Sequence, residues 1–180
     1  MEIRSIDMFE GFDFTDFWKE SKYASEHYVS APPTDTLIAE IEQELRFKLP
    51  ASYILLMKQH NGGKPAKTAC PCAEPTSWAD DHVSVRAIMG IGREKPYSLC
   101  GEMGSAFWTE EWEYPEIGVA IATTPSGGHN MIYLDYRACG KDGEPAVVWV
   151  DAEADYRITP LAPDFETFIR SLRDEHDYET

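Results

Sequence analysis

The amino-acid sequence predicts an α+β fold, and three observations support this prediction. Residues 119–122 form an apolar run that stops at a glycine-containing turn, and a second apolar run follows at residues 131–134, as in a β-hairpin. The first run is apolar on both faces, which is typical of a strand in the middle of a covered sheet. Helical spacing with clear boundary residues occurs on both sides of this hairpin, before residue 64 and after residue 162.

Size and composition predict one soluble domain. The chain has 180 residues, of which 43% are hydrophobic, and a chain of this length buries about 70% of the surface that it exposes when unfolded. The longest apolar runs, at residues 54–57 and 146–150, are too short to cross a bilayer. The first four residues do not begin a secretion signal, so we expect the protein to work in the cytoplasm.

The charge balance favours a basic partner. The chain carries 32 acidic and 16 basic side chains, a net charge of −16. Phosphate backbones and anionic membranes would be repelled by such a surface, so we expect no binding to nucleic acid or membrane. A net charge of this size can also serve only to keep the protein soluble. Composition does not distinguish solubility from attraction of a basic partner.

Residues 1–33 are interpreted as an amphipathic extension packed on the domain. Aromatic residues crowd its first half, and residues 19–28 fit a helix on which Tyr23 and His27 share a face. A pair of prolines ends the segment, because proline cannot donate a hydrogen bond inside a helix and disfavours helical backbone before it.

A predicted helical hairpin opens the single main domain, residues 34–173. Thr34 is a plausible N-cap for the first helix, and Pro50 fits the start of the second. Gly62 and its neighbours favour left-handed backbone conformation, which ends the second helix. The buried stripe of the first helix is predicted at Leu37, Ile38, Ile41 and Leu45.

The segment that follows is predicted to be less regular. Three prolines indicate a loop at residues 64–81, and alternating apolar residues indicate a strand at 83–89. Residues 93–116 form a variable insertion in which aromatic residues and carboxylates are interleaved. Either the aromatics fill the core while the acids face water, or together they form a contact patch for a partner.

The C-terminal part has clearer signals. Residues 146–150 are predicted to form another strand. Phe165, Phe168, Ile169 and Leu172 repeat at helical spacing, with acidic residues near the start and arginines near the end, as the helix dipole favours. Residues 174–180 form an acidic tail that is expected to fray.

The sequence contains little evidence for catalytic or metal-binding residues. Cys70 and Cys72 are separated by one residue, which is closer than usual zinc ligands, so we expect free thiols and no metal or cofactor, although His60 and His82 could in principle complete a site. His129 follows two glycines and is predicted to be an exposed turn residue. Adjacent carboxylates diverge in regular structure, so enzymatic activity is the least favoured class.

The order of these features resembles the SUKH superfamily, which includes yeast regulators of cell-wall glucan synthesis and many bacterial immunity proteins. The chain has Arg46-Phe47 where members often have glycine. The resemblance spans roughly residues 34–172 and rests on the segments Ile41-Glu42-Gln43-Glu44-Leu45, Leu49-Pro50, Tyr53, Asn61-Gly62-Gly63, Gly127-Gly128, Tyr133-Leu134-Asp135, Val147 to Asp151, and Phe165-Glu166-Thr167-Phe168-Ile169.

This resemblance implies a central antiparallel sheet, with the N-terminal helical hairpin and the C-terminal helix packed on it, and no catalytic residues. It also implies an immunity protein that neutralises a cognate toxin, or else a non-enzymatic regulatory adaptor. The toxin is expected to be an enzyme that acts on nucleic acid or uses nucleotides. Toxins that bind RNA or DNA tend to be basic, and an acidic inhibitor could occlude their phosphate-binding groove. We expect a monomer or weak homodimer. The predicted partner-binding residues are Trp108, Glu110, Glu111, Trp112, Glu113 and Tyr114.

Overall fold

The computed structural model describes residues 8–178 and confirms the predicted α+β fold with a central antiparallel sheet. The strands are β1 (Trp18–Lys19), β2 (Lys64–Pro65), β3 (Ala69–Pro71), β4 (His82–Ser84), β5 (Ala87–Ile88), β6 (Gly118–Thr123), β7 (Asn130–Asp135), β8 (Ala146–Asp151) and β9 (Arg157–Ala162). The helices are α1 (Lys22–His27), α2 (Asp35–Leu45), α3 (Ala51–Gln59), α4 (Ser105–Glu110) and α5 (Phe165–Ser171). The central sheet has the order β5-β6-β7-β8-β9.

The predicted hairpin is confirmed as β6 and β7, and β7 is the middle strand of the central sheet. The register pairs Ala120 with Tyr133 and Val119 with Leu134. Side chains of a strand alternate between its two faces, and Ile132, Tyr133 and Leu134 are all fully buried. Both faces of the sheet are therefore covered at β7.

One cover is a helical layer made of α2, α3 and α5. The Leu37 amide donates a 3.1 Å hydrogen bond to Thr34 Oγ1, which confirms the predicted N-cap of α2. The rings of Tyr53 in α3 and Phe165 in α5 meet edge to face at 5.3 Å, and both are fully buried. Asp164 caps α5 through its side chain.

The end of α2 has a backbone geometry that glycine usually supplies. Arg46 lies in the left-handed region with φ of +68°, and its amide donates a 2.8 Å hydrogen bond to the Glu42 carbonyl. Glycine is the residue that most often adopts this conformation at the end of a helix, and here arginine adopts it. The Glu42 side chain supports the turn by accepting a 2.7 Å hydrogen bond from the Leu49 amide.

The segment between α3 and β6 differs from the prediction. β2 and β3 form inside the predicted loop, where they pair with β1 and β4. The single strand predicted at residues 83–89 is divided between β4 and β5, which belong to different sheets. β9 was also not predicted; Pro160 interrupts its pattern, and as an edge strand it tolerates proline. Pairing partners far away in sequence determine these strands, so local composition does not reveal them.

The described part of the N-terminal extension, residues 8–33, contributes to the core. Phe9 and Phe17 are buried within the main hydrophobic cluster. Tyr23 and His27 stack at 4.2 Å, which confirms that they share one face of α1. Residues 1–7 of the predicted extension lie outside the described residues.

The predicted fraying of the acidic tail is wrong for residues 174–178. The Glu175 carboxylate accepts a 2.6 Å hydrogen bond from Ser84 Oγ, and the Tyr178 ring stacks on His82 at 4.0 Å. These contacts hold a short 3-10 helix against β4. The last two residues of the chain lie outside the described residues. Within residues 8–178, no helix combines the length and apolar character that a membrane span needs.

Candidate protein-binding surface

Residues 93–116, predicted to be irregular, contain α4 and belong to the second cover of the sheet. The Tyr114 ring stacks on Tyr133 of β7 at 5.7 Å and an interplanar angle of 22°. Trp108 in α4 meets Tyr114 edge to face at 6.3 Å and is only 4% exposed. We call residues 105–117 the aromatic layer; it lies on the face of β7 opposite Ile132.

Side-chain hydrogen bonds attach this layer to the sheet. The Ala120 amide donates a 3.0 Å hydrogen bond to Ser105 Oγ, next to the irregularity that separates the paired residues Ala120 and Ala122. The Tyr114 hydroxyl donates a 2.6 Å hydrogen bond to the Gly128 carbonyl in the hairpin turn. Burial raises the pKa of Tyr114, so its hydroxyl stays protonated and remains a donor.

The predicted contact patch is corrected by this arrangement. Trp108 and Tyr114 are 4% and 2% exposed, so they fill the core and supply almost no surface to a partner. Glu110, Glu111 and Glu113 are exposed, as a contact role requires. Of the two explanations for the insertion, core filling applies to these two aromatics, and a contact role is open to the acids.

Trp112 occupies the boundary between core and surface. Its ring is half-buried, packs against Trp108 at 5.6 Å, and meets His129 at 5.7 Å. The Tyr156 hydroxyl donates a 2.5 Å hydrogen bond to the Trp112 carbonyl, which fixes the backbone. Trp112 is thus the one predicted aromatic contact residue that retains substantial exposure.

The hairpin turn extends this surface. His129 Nδ1 lies 2.5 Å from Glu153 Oε1, and both side chains are more than half exposed. The exposed turn position of His129 was predicted; its pairing with Glu153 was not, because no local pattern joins residues 24 positions apart. We define the Trp112 surface as Glu110, Glu111, Trp112, Glu113, His129 and Glu153.

Cys70, His60 and His82 do not come together to form a metal site. Cys70 is fully buried, and burial raises the pKa of its thiol to about 12, so it is a poor nucleophile and a poor metal ligand. His82 Nδ1 instead lies 2.9 Å from Asp81 Oδ1, and His60 Nδ1 donates a 2.7 Å hydrogen bond to the Gly62 carbonyl. Within residues 8–178, no three histidine, cysteine or carboxylate side chains are placed to hold a metal ion.

A cleft of about 540 Å³ opens beside the Trp112 surface, between the end of α2 and α4. Its polar lining includes carboxylates from three segments, together with one arginine. Its residues are Glu44, Leu45, Arg46, Phe47, Leu99, Cys100, Gly101, Ser105, Ala106, Thr109, Glu110, Glu116 and Gly118.

Fold and surface together define an α+β domain with an antiparallel sheet covered on both faces and a half-buried tryptophan among exposed carboxylates. The family model described as SUKH_6, SMI1-KNR4 cell-wall, matches residues 35–169, so the chain belongs to this family and the predicted SUKH membership is confirmed. Members are generally non-enzymatic immunity or regulatory proteins. A search of curated proteins returned no match.

Proposed function

We propose that this protein is a cytoplasmic immunity protein that binds and neutralises a cognate toxin. Membership of the SUKH superfamily supports a role in binding other proteins. The net charge of −16 supports a basic partner, such as a toxin domain that acts on nucleic acid. Binding of this protein inhibits the toxin by covering its active site or substrate groove.

The observation that carries the proposal is the composition of the Trp112 surface. Four carboxylates, those of Glu110, Glu111, Glu113 and Glu153, accompany a half-buried tryptophan. Tryptophan is among the residues that contribute most to binding free energy when an interface closes over them. Carboxylates around it accelerate encounter with a basic partner through long-range attraction.

The residues packed beneath Trp112 hold its ring in place, as is typical of a side chain that anchors an interface. Trp108 lies under it, and Gly128 lies so close to both rings that a Cβ would stand 2.8 Å from Trp108 Cζ3 and 3.1 Å from Trp112 Cη2. A side chain held in this way loses little conformational freedom on binding, which favours affinity.

A regulatory adaptor is the second candidate, and the cell-wall description of the matching family favours it. The two functions differ in affinity. An immunity protein holds one partner at nanomolar or tighter dissociation constants, whereas an adaptor exchanges weaker partners.

The test uses the polypeptide encoded beside this protein as the partner. Co-expression should restore growth that this polypeptide alone inhibits. In kinetic measurements, Glu110→Lys/Glu111→Lys/Glu113→Lys should slow association by about tenfold or more at low salt, with the difference shrinking as salt screens the charges. The matched control is Glu10→Lys/Glu26→Lys/Asp177→Lys, which changes the net charge equally at exposed positions outside the Trp112 surface.

Equal slowing by both triple variants would assign the effect to overall charge and remove the Trp112 surface from the proposal. Failure of the wild-type protein to bind the neighbouring polypeptide, or to restore growth, would reject the immunity function.

A further inference from the structure

We propose that the cleft between α2 and α4 receives an arginine side chain of the basic partner. This inference rests on the proposed function and specifies the chemistry of the partner at a second position. The cleft shares Glu110 with the Trp112 surface, so one partner can contact both.

The shape and lining of the cleft suit a long side chain with an aliphatic stem. Its volume is about 540 Å³, and its apolar lining comes from Leu45, Phe47, Leu99 and Ala106. The Phe47 ring is half-buried and is held against Tyr136 with the ring centroids 4.5 Å apart. Aliphatic stems pack on such surfaces while their charged ends remain at the rim.

The charges of the cleft suit a cation. Within residues 8–178, Glu110 and Glu116 make no ion pair, whereas Glu44 lies 3.2 Å from Arg93. Arg46 brings one positive charge to the lining, so the three lining carboxylates leave it net negative. Burial, followed by the neighbouring Glu44 carboxylate, raises the pKa of Cys100 to about 12, in agreement with a negative local potential.

An arginine fits this lining better than a lysine. A guanidinium is planar and can lie flat against the ring of Phe47 while it donates to two carboxylates. It carries five N–H donors and no acceptor, so it also matches hydroxyls that can accept. Thr109 lines the cleft, and its hydroxyl can accept such a hydrogen bond.

The first test uses a small probe with the full chain. N-acetyl-arginine-N-methylamide is titrated and followed by amide chemical shifts in NMR. We expect saturable shifts at Gly101, Ala106 and Gly118, with a dissociation constant in the millimolar range. The neutral isostere N-acetyl-citrulline-N-methylamide should bind at least about fivefold more weakly, because it lacks the charge that the carboxylates attract.

Two variants locate the probe. Glu110→Gln/Glu116→Gln should weaken binding of the arginine probe about fivefold or more, whereas the matched pair Glu10→Gln/Glu26→Gln should leave it unchanged. Ala106→Trp places a large side chain in the cleft from an exposed position of α4 and should abolish the localised shifts. Shifts that do not saturate, or that persist in Ala106→Trp, would overturn the proposal.

The second test uses the neighbouring polypeptide and separates this inference from the proposed function. Ala106→Trp should weaken its binding about tenfold or more. If the wild-type protein binds this polypeptide and Ala106→Trp binds it equally well, the cleft inference fails and the immunity function stands. If the wild-type protein does not bind the polypeptide while the arginine probe occupies the cleft, the immunity function fails and the cleft still accepts arginine.

Discussion

The two covers of the central sheet are built in different ways. The helical layer consists of α2, α3 and α5, whose apolar residues repeat along the sequence. Thr34 caps the first turn of α2, and Asp164 caps that of α5. The aromatic layer has one short helix, α4, and depends on the large rings of Trp108 and Tyr114 together with bonds from side chains to the backbone of the sheet.

This difference shows that an irregular segment can be as much a part of the core as a helix. Tyr133 and Ile132 are adjacent in β7 and equally buried, yet they belong to the two different faces of the sheet. The same segment that buries Trp108 also presents Glu110, Glu111 and Glu113 outward. A structural role and the proposed binding role therefore share one stretch of chain.

The largest expected effect tests whether the aromatic layer is as necessary for folding as the helical layer. Trp108→Ala should lower the free energy of unfolding by about 3–5 kcal/mol, because it removes a large buried ring and leaves a cavity. Phe168→Ala in α5 is the matched change in the helical layer and should cost a similar amount. Urea unfolding measures both; a loss below about 1 kcal/mol for Trp108→Ala alone would make the aromatic layer a dispensable addition.

A smaller effect is expected where the hairpin turn meets the aromatic layer. Gly127 and Gly128 both have positive φ, +72° and +103°, so alanine at either position costs about 1–2 kcal/mol through the backbone. A Cβ at Gly128 would also press on Trp108 and Trp112, which adds about 1–3 kcal/mol, whereas nothing lies within 4 Å of a Cβ at Gly127.

Gly128→Ala should therefore be the more destabilising of the two, and it alone should change the tryptophan fluorescence of the folded protein. Equal losses for the two variants in urea unfolding would show that the turn does not press against the tryptophan rings.

The smallest expected effects concern two single hydroxyl groups. Ser105 bonds the aromatic layer to β6, and Thr34 caps α2 in the helical layer. Ser105→Ala leaves the buried Ala120 amide without its acceptor and should cost about 1–3 kcal/mol. Thr34→Ala removes the exposed cap of α2, where water can replace the hydroxyl, and should cost about 1 kcal/mol. Thermal unfolding at a single pH gives the comparison, and a Ser105→Ala variant as stable as the wild type would remove this hydrogen bond from the attachment.

The predictable parts of the fold are those in which neighbouring residues interact. The cap at Thr34 is a local signal that the structure contains, and Ile38 and Ile41 of the predicted α2 stripe are buried, with Leu37 and Leu45 partly buried beside them. The predicted stop of α3 falls earlier than Gly62: the helix ends at Gln59, His60 is extended, and the left-handed Gly62 follows. The strands β2 and β3 escaped prediction because their partners are distant; Lys64, for example, pairs with Lys19. β-Structure of this kind is decided by pairing more than by propensity.

The candidate site likewise has features that the sequence predicted and features that it did not. The sequence located the acidic and aromatic segment, and the exposure of Glu110, Glu111 and Glu113 follows from their charge. It did not distinguish Trp108 and Tyr114 from Trp112, because the three occur in one irregular stretch without a period that assigns a face. Glu153, which comes from the turn after β8, had no signal that tied it to His129.

The sequence alone thus determined the fold class, the N-cap of α2, the β6–β7 hairpin and the acidic character that favours a basic partner. These properties depend on composition and on contacts between near neighbours. Tertiary structure decided which aromatic rings are buried, which turn residues adjoin Trp112, and that α2 and α4 enclose a cleft. Those properties depend on contacts between segments far apart in the chain, and only the packed sheet with its two layers brings such segments together.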